Sequence, residues 1–418
     1  MFPTKFWVIR LKAGLIGTVC LLLSCLLVGS CAPSSGFEAS LNEIVKPYRF
    51  DLFSWELQAL SYELEDLVFG GGEVAADESP VVIDYFSVTE QFRALERQIE
   101  AVTDEIVPGG LASLKAELDE LQKQKNSLGD KAEKVLERQV KETLAQLEIF
   151  NPMDSYLGLE ITFPPVNFAL EQPPRLLVVS PRERIESIRG ITLRQDITME
   201  EIEDIEADVD ELGVSSLVVG LGGISTYPAF VSNDAGLRFA INTALEEWLH
   251  QYLFFKPLGF LYALDLIGIS PNYEIAVINE TLASMVSKEI GDTLYQKYYS
   301  QYLEGNRQTE AAEPEFDFYR EMRDIRIAVD DYMAQGEIEQ AEAFMEQKRL
   351  FLASKGYYIR RLNQAYFAFY GTYADSPASI NPIGIELRAL REQTASLSDF
   401  LNTVAVMTSR HDLIDSIE

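Results

Sequence analysis

Two short stretches of this 418-residue chain bring together side chains that could do chemistry. The first is Glu246-Glu247-Trp248-Leu249-His250 and the second is Asn279-Glu280-Thr281-Leu282-Ala283. Residues four apart share a helix face, so Glu246 and His250 point one way, with Glu247 beside them. Carboxylate and imidazole are the groups that hold divalent ions and carry protons in water-activating sites. The chain has 2 histidines, which excludes any site of three imidazole ligands, and His411 near the C-terminus reads as a solvated residue. All 3 cysteines, Cys20, Cys25 and Cys31, lie at the N-terminus, so the body has neither disulfides nor Cys-ligated zinc.

Taken together, the two stretches resemble the gluzincin metallopeptidases. In that family H-E-x-x-H supplies two zinc-binding histidines and a glutamate base. A later helix, often beginning N-E-x-x-A/S, supplies the third ligand. The resemblance implies that Glu246, His250 and Glu280 hold one divalent metal and that Glu247 takes the proton of the attacking water. The departure is Glu246, which stands where the family has histidine. Two carboxylates and one imidazole make a harder donor set, suited to zinc but tolerant of manganese. Two anionic ligands also reduce the positive charge that acidifies water.

A weaker likeness, to a family of predicted bacterial aminopeptidases, lies in Leu362-Asn363-Gln364-Ala365-Tyr366. It offers Tyr366, Tyr370 or Tyr373 as the phenol that steadies an oxyanion. Before the first motif runs Thr226-Tyr227-Pro228-Ala229-Phe230-Val231, an extended segment whose proline confines it to a sheet edge. The resemblance implies that a peptide substrate pairs with it along Thr226, Tyr227 and Ala229. An alternative reading keeps the fold without catalysis, as a surface lipoprotein that binds peptides or a protein partner. A third leaves His250 an ordinary helix residue and Glu280 a first-turn glutamate favoured by the helix dipole.

To position these motifs the sequence offers a sheet followed by helices. Leu176-Leu177-Val178-Val179-Ser180 and residues 214–221 read as buried strands, with an acidic helix over about 199–212 between them. Pro181-Arg182-Glu183-Arg184-Ile185 begins a short helix, Gly222-Gly223 turns the chain, and a helix over about 235–254 carries the first motif. Beyond Tyr273 the pattern is helical over 274–303, 316–334, 337–370, 384–392 and 396–407. Upstream, residues 37–69 look helical, with Trp55, Leu57, Leu60 and Leu64 among the apolar positions. Phe92, Leu95, Ile99, Val102 and Ile106, then Leu111, Leu114, Leu118, Leu121 and Leu128, spell a helical hairpin or coiled-coil arm ending near Leu147. The fold class is α+β and predominantly helical. A zincin-like domain with a small mixed sheet (151–272) lies between a linker with the helical hairpin (31–150) and a helical C-terminal domain (273–418).

Residues 1–30 read as an address. Lys5, Arg10 and Lys12 precede an apolar run from Ala13 to Val28, shorter than the roughly 20 residues that span a bilayer. Leu27-Val28-Gly29-Ser30-Cys31 resembles a bacterial lipobox, which implies cleavage and a lipid on Cys31; an uncleaved anchor is the alternative. Either way the body lies on the extracytoplasmic face of the membrane, because the positive flank stays inside. With 66 acidic against 35 basic residues and a net charge of −31, the chain is unsuited to nucleic acid. The partners implied are a peptide or protein substrate and the membrane.

Overall fold

The computed structural model describes residues 36–50, 78–101, 110–152, 162–266, 268–303 and 316–417. The signal segment, Cys31, the lower part of the helix expected over 37–69 and the bend of the hairpin lie outside them. Helix α1 (Gly36–Val45) ends ahead of Pro47, and a 3-10 turn over Lys46–Tyr48 leads Arg49 into an antiparallel bridge with Leu193. Helices α2 (Ser79–Ala101) and α3 (Gly110–Gln146) lie antiparallel. Arg138 pairs with Glu78 and Gln139 with Ser79 at one end, while Lys125 covers the Phe92 ring further along. Val82, Tyr85 and Phe86 of α2 and Val135, Leu136, Val140 and Leu144 of α3 join the main core, so the hairpin packs on the body.

Among the described residues six strands form two three-stranded sheets. Strands β1 (Phe168–Leu170), β2 (Arg175–Pro181) and β3 (Arg189–Leu193) precede helix α4 (Met199–Asp210), and β4 (Val214–Gly220), β5 (Gly223–Ile224) and β6 (Ala229–Val231) follow it. The first sheet has the order β3-β2-β4 and is antiparallel throughout. Its central run Leu177-Val178-Val179 is apolar at every position because both faces are covered. Leu177 and Val179 meet α1 and α4, while Val178 meets Leu217, Val219 and Ala365. The short helix expected from Pro181 is absent. Pro181 is the last residue of β2, opposite Val214, and Ser180 Oγ accepts the Glu186 N–H across the bend that returns the chain as β3. Thr198 and Glu201 form a capping box that starts α4.

The second sheet has the order β1-β6-β5, with β1 parallel and β5 antiparallel to β6. It corrects the edge assigned to 226–231. Ala229 lies on the central strand, paired with Phe168 of β1. Pro228 sits just outside the ladder, where its missing N–H costs nothing. The outward N–H groups of Phe168 and Leu170 are taken by Glu137 and Glu133, one helical turn apart on α3.

Helix α5 (Leu237–Leu253) lies against this sheet and against α7 (Tyr273–Leu303), with α6 (Pro257–Leu266) between them in sequence. Leu245, Trp248, Leu249 and Tyr252 bury the far side of α5, and Trp248 Nε1 donates to the Pro164 carbonyl at 2.8 Å. Burying each such side chain contributes roughly 1.5–3 kcal/mol, which fixes the rotation of the helix and turns Glu246, Glu247 and His250 to the other side.

Helices α8 (Phe318–Ala334) and α9 (Ile338–Ser354) pair, and α10 (Gln364–Tyr370), α11 (Ile383–Gln393), α12 (Leu397–Ala405) and α13 (Arg410–Asp415) complete the chain. The helix expected over 337–370 is broken. Gly356, at φ 90°, ends α9, and Asn363 caps α10 through the Tyr366 N–H. Between them Arg360 and Arg361 reach Glu206 on α4. Among the described residues the protein is predominantly helical, and no helix is long and apolar enough to cross a membrane.

Candidate functional site

α5 and α7 bring the two motifs together. One ligand-type atom from each of Glu246, His250 and Glu280 lies within 4.8 Å of the other two, and these three side chains could hold a metal ion. His250 Nε2 is 3.8 Å from Glu280 Oε1. His250 Nδ1 lies 2.9 Å from Asn279 Oδ1, and the neutral tautomer that donates Nδ1–H to this oxygen leaves Nε2 with its lone pair toward Glu280. That is the orientation a ligating imidazole needs. Glu246 Oε1 is buried with no hydrogen-bond partner, the condition expected of an oxygen that a cation completes.

The electrostatics agree. Burial, then Glu280, pushes Glu246 up to about 8, against a lowering from Lys288 and from hydrogen bonding with Tyr373. Burial raises Glu247 well above the usual carboxylate range, and Glu246 and Glu280 add to it. Three carboxylates crowded out of water repel one another, and a bound cation would relieve that repulsion.

Of the three candidate tyrosines, the structure brings one to the glutamates. Tyr373 is half-buried, and its phenol is raised well above 10, first by desolvation and then by Glu280, Glu246 and Glu247. Tyr366 and Tyr370 lie on α10 with ring centroids 4.5 Å apart. Tyr366 packs between α8, α9 and the first sheet, and Tyr370 is largely exposed. The loop carrying Tyr373 is held by α7 itself. Thr281 Oγ1 donates to the Thr372 carbonyl and accepts the Ala374 N–H, and Ser284 and Lys288 bind Asp375. One face of one helix therefore places both Glu280 and Tyr373.

The segment read as a substrate strand is unavailable. Thr226 and Tyr227 are buried, and the Thr226 carbonyl accepts from Gln251. Ala229 lies on the central strand and pairs with Phe168 of β1. The open edge beside the site is β5. The Ser232 N–H bonds the Gly222 carbonyl, so the next pair, Gly223 opposite Val231, is a non-hydrogen-bonded one whose N–H and C=O on Gly223 face outward. A Cβ on Gly223 would lie 2.6 Å from both Glu247 Oε1 and Thr243 Cγ2, so only glycine lets β5 rest on α5 this closely.

Sequence reasoning missed Tyr262 of α6. Its hydroxyl donates to Glu280 Oε1, and its ring stacks on His250 at 5.8 Å. Nothing in the apolar run of α6 marks it. Asn279 belonged to the second motif, but its hold on His250 required the fold. No protein-family model matches the chain, and no curated protein or solved structure matches it.

Proposed function

We propose that this protein is a metal-dependent hydrolase of peptides, acting at the outer face of a membrane to which a lipid on Cys31 tethers it. One observation carries the reading: Glu246, His250 and Glu280 converge, with His250 Nδ1 against Asn279 Oδ1 and Nε2 turned toward Glu280. Glu246, His250 through Nε2 and Glu280 hold one divalent ion, zinc first and manganese second by donor hardness. When bound, the ion polarises the scissile carbonyl and makes water more acidic. Glu247, one residue along α5, takes the proton from the attacking water and passes it to the leaving amine. Tyr373 offers its phenol to the oxyanion that develops on the carbonyl. An extended peptide aligns against the outward N–H and C=O of Gly223, directly over Glu247.

A second reading rests on Glu246. Two anionic ligands leave a divalent ion formally neutral, which favours metal-supported binding of a peptide or protein over turnover. The test separates the two. Purified protein dialysed against micromolar zinc should retain one equivalent, lost in His250→Ala and in Glu280→Ala. Glu247→Gln should keep the metal and lose chelator-sensitive hydrolysis of a peptide library. Hydrolysis that survives Glu247→Gln rules out the mechanism, and a wild-type protein with no bound metal rules out the site.

A further inference from the structure

Tyr262 touches two of the three candidate ligands from an element with no other polar role in the site. Its hydroxyl donates to Glu280 Oε1. This is the same oxygen that faces His250 Nε2 at 3.8 Å. Its ring lies against the imidazole of His250, with the planes 30° apart. The phenol is thus placed by ring packing on one ligand and delivers its hydrogen bond to the other.

A carboxylate oxygen has two lone pairs. On Glu280 Oε1 the phenol occupies one, leaving the other for an ion between Oε1 and Nε2. Rotation of the carboxylate to present both oxygens to that ion would break the phenol bond. Zinc takes few ligands, commonly four, and is satisfied by one carboxylate oxygen. Larger oxygen-preferring ions take more ligands and gain from both oxygens of a carboxylate.

We propose that Tyr262 is a positioning residue that sets metal selectivity: its hydroxyl keeps Glu280 monodentate and so favours zinc over manganese. This rests on the metal-site reading above. Tyr262→Phe is the decisive change, because phenylalanine keeps the ring against His250 and removes only the donor. The metal-free full-length protein and the variant are titrated separately with zinc and with manganese, in competition with a chelator of known affinity. The expected result is a loss of zinc affinity of roughly 10- to 100-fold, the usual effect of removing a partner of a ligand. Manganese, free to take both oxygens of Glu280, should lose much less, so the zinc-to-manganese ratio falls. General loosening of the site lowers both affinities together, and that outcome overturns the proposal, as does an unchanged zinc affinity. X-ray absorption of the zinc-loaded wild type gives a second readout that needs no variant. Four-coordinate zinc is expected, and higher coordination through a bidentate Glu280 overturns the assignment. A wild type that binds neither ion sinks the metal-site reading, whereas zinc binding indifferent to Tyr262→Phe sinks this inference alone.

Discussion

Gly223→Ala tests whether the contact between β5 and α5 builds the site. The new Cβ would lie 2.6 Å from Thr243 Cγ2 and from Glu247 Oε1, and 2.8 Å from Glu247 Cγ. Ordinary contact begins at 3.4 Å, so each neighbour or the strand must yield by most of an ångström. The Glu247 carboxylate can swing away, but Thr243 is β-branched and its rotamer is restricted by the helix. The strand therefore lifts, or Thr243 is driven off its rotamer, at a cost of about 1–3 kcal/mol. If Glu247 is the base proposed above, a displacement of that size beside it costs on the order of 100-fold in rate. Urea denaturation followed by circular dichroism measures the first quantity, and hydrolysis of a peptide by the zinc-loaded protein measures the second. Removing the clashing methyl by Thr243→Ser should restore part of the stability in the double variant, giving a coupling of about 0.5 kcal/mol or more. If Gly223→Ala unfolds at the wild-type urea concentration and the double variant shows no coupling, β5 does not rest on α5 as described.

Two further changes probe the framework. Glu206 is buried, accepts from Arg360, Arg361 and the Val218 N–H, and ties the segment between α9 and α10 to the first sheet. Breaking a buried pair costs about 3–5 kcal/mol. Arg360 and Arg361 keep 31% and 32% of their side-chain surface in water, so Glu206→Gln should cost about 2–3 kcal/mol in a urea melt, and a loss below about 0.5 kcal/mol refutes the network. Glu133 is raised to about 7, chiefly by burial, against an unfolded value of 4.5. Between these values the folded state holds the extra proton, so stability declines as pH rises from about 4.5 through 7 and levels off above. Glu133→Gln should flatten that decline by about 2–3 kcal/mol across pH 5 to 8, and an unchanged profile refutes the assignment.

The helices that carry the motifs were legible from their length and from the four-residue spacing of Glu246 and His250, although α7 buries every residue from Ile275 to Ser284 and shows no polar face there. The choice of tyrosine was not legible. Tyr366, Tyr370 and Tyr373 differ in use only through where α10 ends and how Thr281, Ser284 and Lys288 catch the following loop. α6 was invisible for a different reason, since Pro257–Leu266 is apolar nearly all round and offers no face to read. Pro228 put 226–231 at a sheet edge on the sequence alone, but it stands just before β6, which is the central strand, and β5 takes the edge. The break between α9 and α10 needed two causes at once, a left-handed Gly356 and a pair of arginines drawn to a distant glutamate.

Glu133 and Glu137 cap the outward amides of β1, so the second sheet can be extended on one side only. α3 lies along that edge and covers it against an incoming strand. Among the described strands β5 is the uncovered edge, so an extended chain joining this sheet would meet it at Gly223. On the proposed reading, a peptide substrate and a second copy of the protein would compete for the same two backbone groups, so raising the protein concentration would inhibit hydrolysis competitively.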